Sequence, residues 1–301
     1  MGTAVAAARY LEALSESLTL SIDRFDVRNI VARYAEPDDM AGMQRISGDL
    51  VFPGHPESIA HMLLAGMGVQ SNTSVLSGFL YTHRFLMATT ENAGNNPLPP
   101  YTLEIFRDVT SSQQYRGVQV SQFALALGPN SPLRMTAGLL ARSTVNLTAT
   151  TASFPGSPTD PFAFDTCSIT LGGAATALVE NFNLSVNNQL EGVPTLDSST
   201  IIAKIRRTGP ALVRLSGSLA FENITDYQRF VGQTEIAIQA DLFRANSFSM
   251  AIDIPRFVYN AFPLGIGDRG RKVVGFEGIC RYHTGSAQAL EIRVTNTSSG
   301  F

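Results

Sequence analysis

The chain contains the phrase ESLTLSI at Glu16–Ile22 and a similar phrase, ENFNLSV, at Glu180–Val186, 164 positions later. A second phrase, SGDLVF at Ser47–Phe52, returns as SGSLAF at Ser216–Phe221 with an offset of 169. The two pairs keep their order and nearly their spacing, which indicates an internal duplication with a small insertion between the phrases. A protein made of two copies of one β unit is more often a building block than a catalyst.

Apolar and polar residues alternate in these phrases, as they do in half-buried strands. The clearest alternation covers Val213–Phe221, where every second residue is apolar or glycine. Each copy reads as a strand, a long polar connection, a strand, a short helix and three or four further strands. We therefore predict a mainly β protein with two tandem β-sandwich or open-barrel domains, at residues 1–150 and 151–301. The Thr-, Ser- and Pro-rich stretch Thr144–Pro161 is the expected linker.

Four segments call for separate predictions. An amphipathic pattern predicts short helices at Glu57–Leu64 and at Asn223–Val231, the latter with Thr225 as its N-cap. Val5–Leu14 fits either a short helix or an arm that orders on assembly, and Leu133–Arg142 fits either a strand or a helix.

The composition of the chain argues against several classes of function. The 301 residues are 44% hydrophobic and 16% charged, with a net charge of −3, which argues against a nucleic-acid-binding domain because phosphate binding needs a concentrated basic surface. Cys167 and Cys280 are too few for a disulfide framework. Met1–Ser15 lacks the pattern of a secretory signal, and no apolar run reaches the length of a membrane span. We expect a soluble protein without a membrane association.

The sequence offers no constellation of catalytic residues. The four histidines lack the i, i+4 spacing of a zinc protease, and no Gly-x-Ser-x-Gly elbow occurs. The pattern Gly-x-Gly-x-x-Gly at Gly265–Gly270 precedes a predicted strand instead of the helix that a dinucleotide site needs. We predict no catalytic residue, no cofactor and no metal.

Several phrases resemble the tail tube proteins of long-tailed, non-contractile bacteriophages, in their duplicated-domain form. Val179–Asn188 resembles the opening strand of a tube domain, and Leu215–Phe221 with the following short helix resembles its core. Pro99–Glu104 is also similar to such proteins, and the resemblance extends from about residue 16 to residue 296. The first copy departs from the pattern at Met67–Gly78, a stretch that the second copy lacks.

The resemblance implies a structural virion protein whose sheets join those of its neighbours into a ring-shaped inner β-barrel. In duplicated members three subunits supply the six domains of a ring, and stacked rings form the conduit for DNA ejection. The implied partners are further copies of the chain, the tape-measure protein, the tail terminator and baseplate proteins, and passing double-stranded DNA that is not specifically bound. The implied location is the virion tail, assembled in the host bacterial cytoplasm.

Two sets of residues follow as candidates for this role. The long connections 23–43 and 187–207 are suited to reach an adjacent ring, and the polar side chains of one strand are suited to line a lumen. The candidate inter-ring residues are Asp23, Glu36, Asp38, Asp39, Asn188, Glu191 and Asp197. The candidate lumen residues are Glu235, Gln239 and Asp241.

Two other classes of function remain open from the residues alone. One is another virion β protein, such as a tail terminator, a baseplate component or a head decoration protein. The other is a β-sandwich enzyme acting on polysaccharide, although the chain has no Trp to stack on a sugar.

Overall fold

The structure is a computed structural model that describes residues 4–26, 39–77, 80–88, 98–107, 111–148, 150, 154, 160–197, 199–265 and 271–300. It is 60% strand and 10% helix, which confirms the predicted mainly β class. The strands are β1 (Ser15–Glu16), β2 (Thr19–Asp26), β3 (Asp39–Pro53), β4 (Gly68–Ser77), β5 (Leu80–Met87), β6 (Tyr101–Phe106), β7 (Ser111–Leu127), β8 (Arg134–Ala141), β9 (Ser143–Thr148), β10 (Cys167–Leu171), β11 (Ala174–Thr176), β12 (Val179–Asn187), β13 (Leu190–Val193), β14 (Lys204–Arg207), β15 (Leu212–Ala220), β16 (Ile236–Phe243), β17 (Ser249–Ala261), β18 (Val273–Cys280) and β19 (Glu291–Asn296). The helices are α1 (Pro56–Met67) and α2 (Thr225–Val231).

Eight strands form one continuous antiparallel layer, which we call the long sheet. Its order is β2–β3–β8–β7–β12–β15–β18–β17, with four strands from each copy of the repeat. The layer passes from the first copy to the second through the pairing of β7 with β12. Within one chain the long sheet is open and does not close into a barrel.

A second layer lies behind the long sheet and shares two of its strands. The amino-terminal half of β7 pairs with β6 and β9, and the amino-terminal half of β17 pairs with β16 and β19. The core lies between the layers, where Leu184 and Leu215 of the long sheet face Ile238 and Ile252. Two long strands therefore belong to both layers of the sandwich.

The strand pairings repeat in the same way as the sequence. The pairs β2–β3, β3–β8, β7–β8, β6–β7 and β7–β9 in the first copy correspond to β12–β15, β15–β18, β17–β18, β16–β17 and β17–β19 in the second. Their register agrees with the repeated phrases, because Thr19 lies opposite Ser47 and Asn183 lies opposite Ser216. Unrelated phrases would not keep one register, so the pairing supports the duplication inferred from the sequence.

The glycine of the second phrase has a steric reason. A Cβ on Gly48 would lie 2.4 Å from the carbonyl oxygen of Ser17, and a Cβ on Gly217 would lie 2.3 Å from that of Asn181. Ser17 and Asn181 are themselves equivalent positions of the first phrase. In both copies the first strand crosses so close to the second that only glycine fits between their backbones.

Several local predictions need correction or refinement. Val5–Leu14 contains no helix and no strand, and the Leu14 N–H donates to the carbonyl oxygen of Val51. The N-cap of α2 is Ile224, and Thr225 is the first helical residue, because the side chain of Asn223 already accepts the Thr225 N–H. Leu133–Arg142 contains the strand β8, and part of the expected linker, Thr144–Pro161, belongs to β9.

The extra stretch of the first copy forms a hairpin of its own. Met67–Gly78 was expected to lack a counterpart in the second copy, and it contributes β4, which pairs with β5. In the second copy, α2 ends at Val231 and β16 begins at Ile236, so four residues stand where the first copy has the β4–β5 hairpin. The division of the chain at residue 150 stays a prediction.

Candidate assembly surfaces

The two copies meet in a joint within the long sheet, formed by β7 and β12. Phe123 lies opposite Val186 and Leu125 lies opposite Leu184, and all four side chains are buried. The end of α1 closes the joint from behind, because a Cβ on Gly66 would lie 2.6 Å from the ring of Phe123. We call this contact the intrachain joint.

A buried amide holds the second long connection against the first copy. The Asn188 Nδ2 donates to the carbonyl oxygens of Gly66 at 2.8 Å and Val120 at 3.1 Å, and the Asn188 backbone N–H donates to Ser121. The guanidinium of Arg207 donates to the Asn188 Oδ1 at 3.1 Å. With its polar groups satisfied, Asn188 fixes where the β13–β14 hairpin leaves the sheet.

The second layer contributes its own contact between the copies, which we call the clasp. Strand β5 of the first copy pairs with β19 of the second. Arg84 donates two hydrogen bonds of 2.6 Å to the buried carboxylate of Glu291, and Thr82 bonds Thr295 at 2.9 Å. The intrachain joint is therefore closed in both layers of the sandwich.

The carboxylate of the clasp has a shifted pKa. Burial alone would raise the pKa of Glu291, but hydrogen bonds from Arg84 and Gln288 and the charges of Arg84 and Arg293 outweigh burial and hold it below its usual range. A carboxyl group whose pKa is lower in the folded than in the unfolded state stabilises the fold above its unfolded pKa. This contribution is lost as the pH falls through the folded pKa.

We expect Glu291→Gln to lower the free energy of unfolding by about 1–2 kcal/mol near neutral pH, because the amide cannot accept the charged pair of hydrogen bonds. The difference from the original chain should shrink as the pH is lowered from about 6 to about 3. Urea denaturation at several pH values measures it. The matched control is Glu277→Gln, whose carboxylate pairs with Arg214 at the surface and should matter little. A difference that stays constant with pH would contradict this account of the clasp.

The solvent side of the long sheet is polar and continuous across the intrachain joint. Ser185 of β12 lies opposite Ala124 of the first copy on one side and opposite Arg214 of the second copy on the other. Asn187 lies opposite Gln122 in the same way. The charged Asp49 and Arg134 and the apolar Leu212 and Val273 also point outward on this side. Many of the other outward residues are small or uncharged. They include Thr19, Ser21, Ser47, Ala126, Thr136, Gly138, Asn181, Asn183, Ser216, Ser218 and Gly275.

Two of the arginines on this polar face are paired with acids. Arg45 donates to Asp23 at 2.9 Å, and Arg214 donates to Glu277 at 3.0 Å. A shallow groove of about 350 Å³ runs over the joint, and Arg214 is the only ionisable residue that lines it. The face thus offers neither a basic track for phosphate nor converging acids for hydrolysis.

The predicted inter-ring residues fall into three groups. Asp23 and Asp39 are exposed on the β2–β3 hairpin, where they pair with Arg45 and Arg24 respectively. Glu191 and Asp197 are exposed on the second connection, whereas Asn188 is buried at its base and is not accessible to a neighbour. Glu36 and Asp38 lie outside the described residues. A contact of these connections with an adjacent ring stays a prediction.

The predicted lumen residues lie in the second layer. The exposed Glu235 accepts a hydrogen bond from Arg256, and Gln239 donates to Asp241 at 2.9 Å. Gln239 and Asp241 belong to β16, whose intervening residues Ile238 and Ala240 face the core. Gln239 and Asp241 therefore lie on the outer side of the second layer, and the core separates them from the polar face of the long sheet. Only one of these two surfaces, the outer side of the second layer or the polar face, could line a lumen. The assignment of Glu235, Gln239 and Asp241 stays a prediction.

Both thiols and the histidine His61 lie in packed regions of the fold. Burial raises the pKa of Cys280 to about 12, and burial with the nearby charge of Asp241 raises that of Cys167 to about 11, opposite to the shift of a reactive thiol. Burial, helped by Arg9 and His83, lowers the pKa of His61 to about 4. Among the described residues, no three His, Cys, Asp or Glu side chains gather as metal ligands, and neither helix is long and apolar enough to cross a membrane.

Sequence reasoning missed the residues that join the two copies. Phe123 and Arg84 belong to no motif, and their partners Val186 and Glu291 are distant in the sequence. One signal was available, because Leu184 and Val186 repeat Leu20 and Ile22 of the first phrase. Equivalent positions in a duplicated protein indicate equivalent contacts.

A duplicated β-sandwich with a continuous polar face and open sheet edges is suited to the class of structural proteins that assemble from copies of themselves. Comparison with known families supports this class: a family described as "Phage tail tube protein" matches residues 2–274. The chain therefore belongs to the phage tail tube protein family, and it is a structural component of the bacteriophage tail. A search of curated proteins finds no match.

Proposed function

We propose that the protein is the major tail tube subunit, that three chains form a pseudo-hexameric ring, and that stacked rings form the conduit through which DNA is ejected. The observation that carries this proposal is the long sheet, which contains two equivalent sets of four strands and is open at both ends. Open edges carry unpaired backbone groups that favour pairing with another copy.

The width of a closed ring favours three chains. Three chains with eight strands each give 24 strands, which at a spacing of about 4.8 Å and a tilt of about 40° close a barrel about 48 Å across. Allowing about 5 Å for side chains on each wall leaves a channel of about 38 Å. Two chains would leave about 22 Å by the same geometry. A DNA duplex is about 20 Å wide, so only the larger barrel passes it together with its water.

The polar face of the long sheet is the surface that best suits the lumen. Its Ser, Thr, Asn, Gln, Ala and Gly residues offer water-like contacts, and two of its three arginines, Arg45 and Arg214, are paired with acids, while Arg134 lies opposite Ala126. Unpaired cations would bind phosphates and release counterions, which would slow the passage of DNA. Double-stranded DNA would slide along this face without specific binding.

A tube of stacked rings also requires contacts between rings and with other proteins of the tail. The exposed β2–β3 hairpin and the β13–β14 hairpin would meet the adjacent ring, with Asp23, Asp39, Glu191 and Asp197 among the contacting residues. The tape-measure protein would occupy the lumen before DNA does, and terminator and baseplate proteins would cap the two ends. Assembly would take place in the cytoplasm of the host bacterium.

Negative-stain electron microscopy of the purified protein tests this function. We expect tubes of uniform width with a central channel, because contacts between unlike surfaces of stacked rings do not close. Isolated closed rings or monomers at all concentrations would contradict the tube and favour a terminator, baseplate or decoration protein. Replacing residues 24–41 by a two-residue Asn-Gly turn should leave rings but stop stacking. Normal tubes from this variant would show that the first hairpin does not connect rings.

A further inference from the structure

Strand β3 extends beyond the strand that flanks it in the long sheet. The pairing of β8 with β3 ends at Ala141, which lies opposite Ile46. The chain then turns into the second layer, where Ser143 begins β9 and pairs with Arg116. Beyond Ile46, β3 therefore keeps β2 on one side and loses β8 on the other. From this point the β2–β3 hairpin projects out of the long sheet.

The same place in the second copy is closed by that copy's own strand. Val213 is the equivalent of Gln44, since each lies three residues before the serine of the second repeated phrase. Val213 lies opposite Cys280 of β18. By the same count Ser143 corresponds to Cys280, but Ser143 belongs to β9 in the second layer. The first copy is thus left with an edge at Gln44 that its own last strand does not fill.

A segment of the second copy fills this edge. The Gln44 N–H donates to the carbonyl oxygen of Thr200 at 2.7 Å, and Gln44 forms a parallel β-bridge with Ile201. Both partners belong to the loop between β13 and β14, which is part of the second long connection. We call Thr200–Ile202 the strap. It takes the place beside β3 that β18 occupies beside β15.

The strap is anchored on both sides of its contact with β3. Ile202 is 8% exposed, and its side chain lies so close to β13 that a Cβ on Gly192 would be 2.7 Å from it. The Nε of Arg142 in the first copy donates to the Ile202 carbonyl oxygen at 2.9 Å. Because Asn188 and Arg207 fix the base of the β13–β14 hairpin, the strap connects the intrachain joint to β3.

The strap meets β3 at the weakest point of the β2–β3 hairpin. On the other side of β3, Gln44 pairs with Ile22, and the register of β2 shifts directly afterwards, between Ile22 and Arg24. Such an irregularity lets a strand bend. Past it the side chains of residues 24–26 and 39–41 are exposed, and two strands without a third neighbour are only marginally stable in water. The direction of the hairpin is therefore set where the strap lies.

We infer that the strap is a positioning element, through which the second copy holds the β2–β3 hairpin of the first copy in its direction relative to the long sheet. The inference rests on the proposed function as far as this hairpin connects rings. A contact segment whose direction is already fixed loses less conformational freedom when it binds. The two long connections of the duplicated chain thus differ in role, because the second one supports the first. Ile202 and Arg142 are the positioning residues.

The substitution Ile202→Ser tests the strap by hydrogen exchange. We expect the monomer to fold, because Ile202 lies outside the core between the two layers. Amide exchange at Gln44 and in residues 24–26 and 39–41 should rise at least about 10-fold, while β12 and β15 keep their rates. Ile202→Val keeps a branched apolar side chain and should stay within about 3-fold of the original chain.

The matched control is Leu196→Ser. It removes an aliphatic side chain of the same size from the same connection, at a position that is fully exposed. All amides of the β2–β3 hairpin should then exchange within about 2-fold of their original rates. The comparison separates release of the strap from a general effect of a serine in this loop.

Tube growth gives a second readout of the positioning role. Ile202→Ser should form rings at the same protein concentration as the original chain, because the strap lies within one chain. It should need at least about 10-fold more protein to form tubes, since a loosened hairpin must be ordered at each contact between rings. Light scattering measures the two thresholds, and electron microscopy distinguishes rings from tubes.

The outcomes separate this inference from the proposed function. Unchanged exchange in the hairpin of Ile202→Ser would overturn it, and so would a rise spread over the whole first copy, because the strap would then have no local effect. A loosened hairpin with an unchanged threshold for tubes would also overturn the positioning role. If the original chain forms no tubes at all, the proposed function fails, whereas the exchange rates still decide whether the strap holds the hairpin.

A second variant covers the case in which Ile202→Ser does not fold. Arg142→Met keeps the aliphatic stem of the side chain and removes the hydrogen bond to the strap. Exchange in residues 24–26 and 39–41 should rise about 3-fold. No rise in this variant would count against the strap in the same way.

Discussion

Replacing Gly217 by alanine is expected to lower the free energy of unfolding by about 3 kcal/mol, close to the largest loss that overpacking usually produces. The added Cβ would lie 2.3 Å from the carbonyl oxygen of Asn181 and 3.0 Å from the ring of Phe276. The nearest atom belongs to a backbone, so no side-chain rotation relieves the contact. Strand β12 would have to move away from β15, which would disturb the start of the second copy.

Gly275→Ala is the matched control for this substitution. Gly275 lies opposite Ser218 in the adjacent strand, and a Cβ there would have only the carbonyl oxygen of Gly217 near it, at 3.9 Å. Its free energy of unfolding should change by less than about 1 kcal/mol. Chemical denaturation of both variants measures the difference. Equal stabilities would refute the close crossing of strands that we use to explain the repeated glycine.

Phe123→Ala is expected to lower the free energy of unfolding by about 4 kcal/mol, because it removes a fully buried aromatic ring and leaves a cavity. The ring is 1% exposed, lies opposite Val186 and touches the end of α1. Its loss weakens the joint between the copies as well as the core. Amide hydrogen exchange should therefore rise along β12 more than along β18, which lies farther from the joint.

The control for Phe123→Ala is Phe106→Ala, the same change at a side chain that is 59% exposed at the end of β6. It should cost less than about 1 kcal/mol. Uniform exchange across the whole second copy in Phe123→Ala would mean that the joint is not a separate unit of stability.

The sequence predicted the strands whose side chains alternate. Val213–Phe221 and Ile236–Leu242 have one buried and one solvated side, and the structure has strands there because this period matches the pleat. The strands β13 and β14 were missed, since Leu190–Val193 and Lys204–Arg207 do not alternate clearly and pair only with each other. The alternation of apolar and polar residues shows which side of a strand is buried. A hairpin of two strands buries few side chains, so its strands need not alternate.

The assembly surfaces were less accessible to sequence reasoning. Asn188 is predicted to be exposed because it belongs to the long polar connection 187–207, yet it is buried, since carbonyl groups from two distant segments satisfy its amide. The repeated phrases, in contrast, predicted equivalent strands, and the strands β2–β3 and β12–β15 pair in the same register. Duplication supplied long-range information that periodicity could not.

The sharing of β7 and β17 between the two layers has a mechanical consequence. Because each of these strands is hydrogen-bonded into both walls of its sandwich, neither wall can slide over the other without breaking backbone bonds. The molecule should behave as a stiff block. In a filament built from such blocks, curvature under load would concentrate at the seams between molecules.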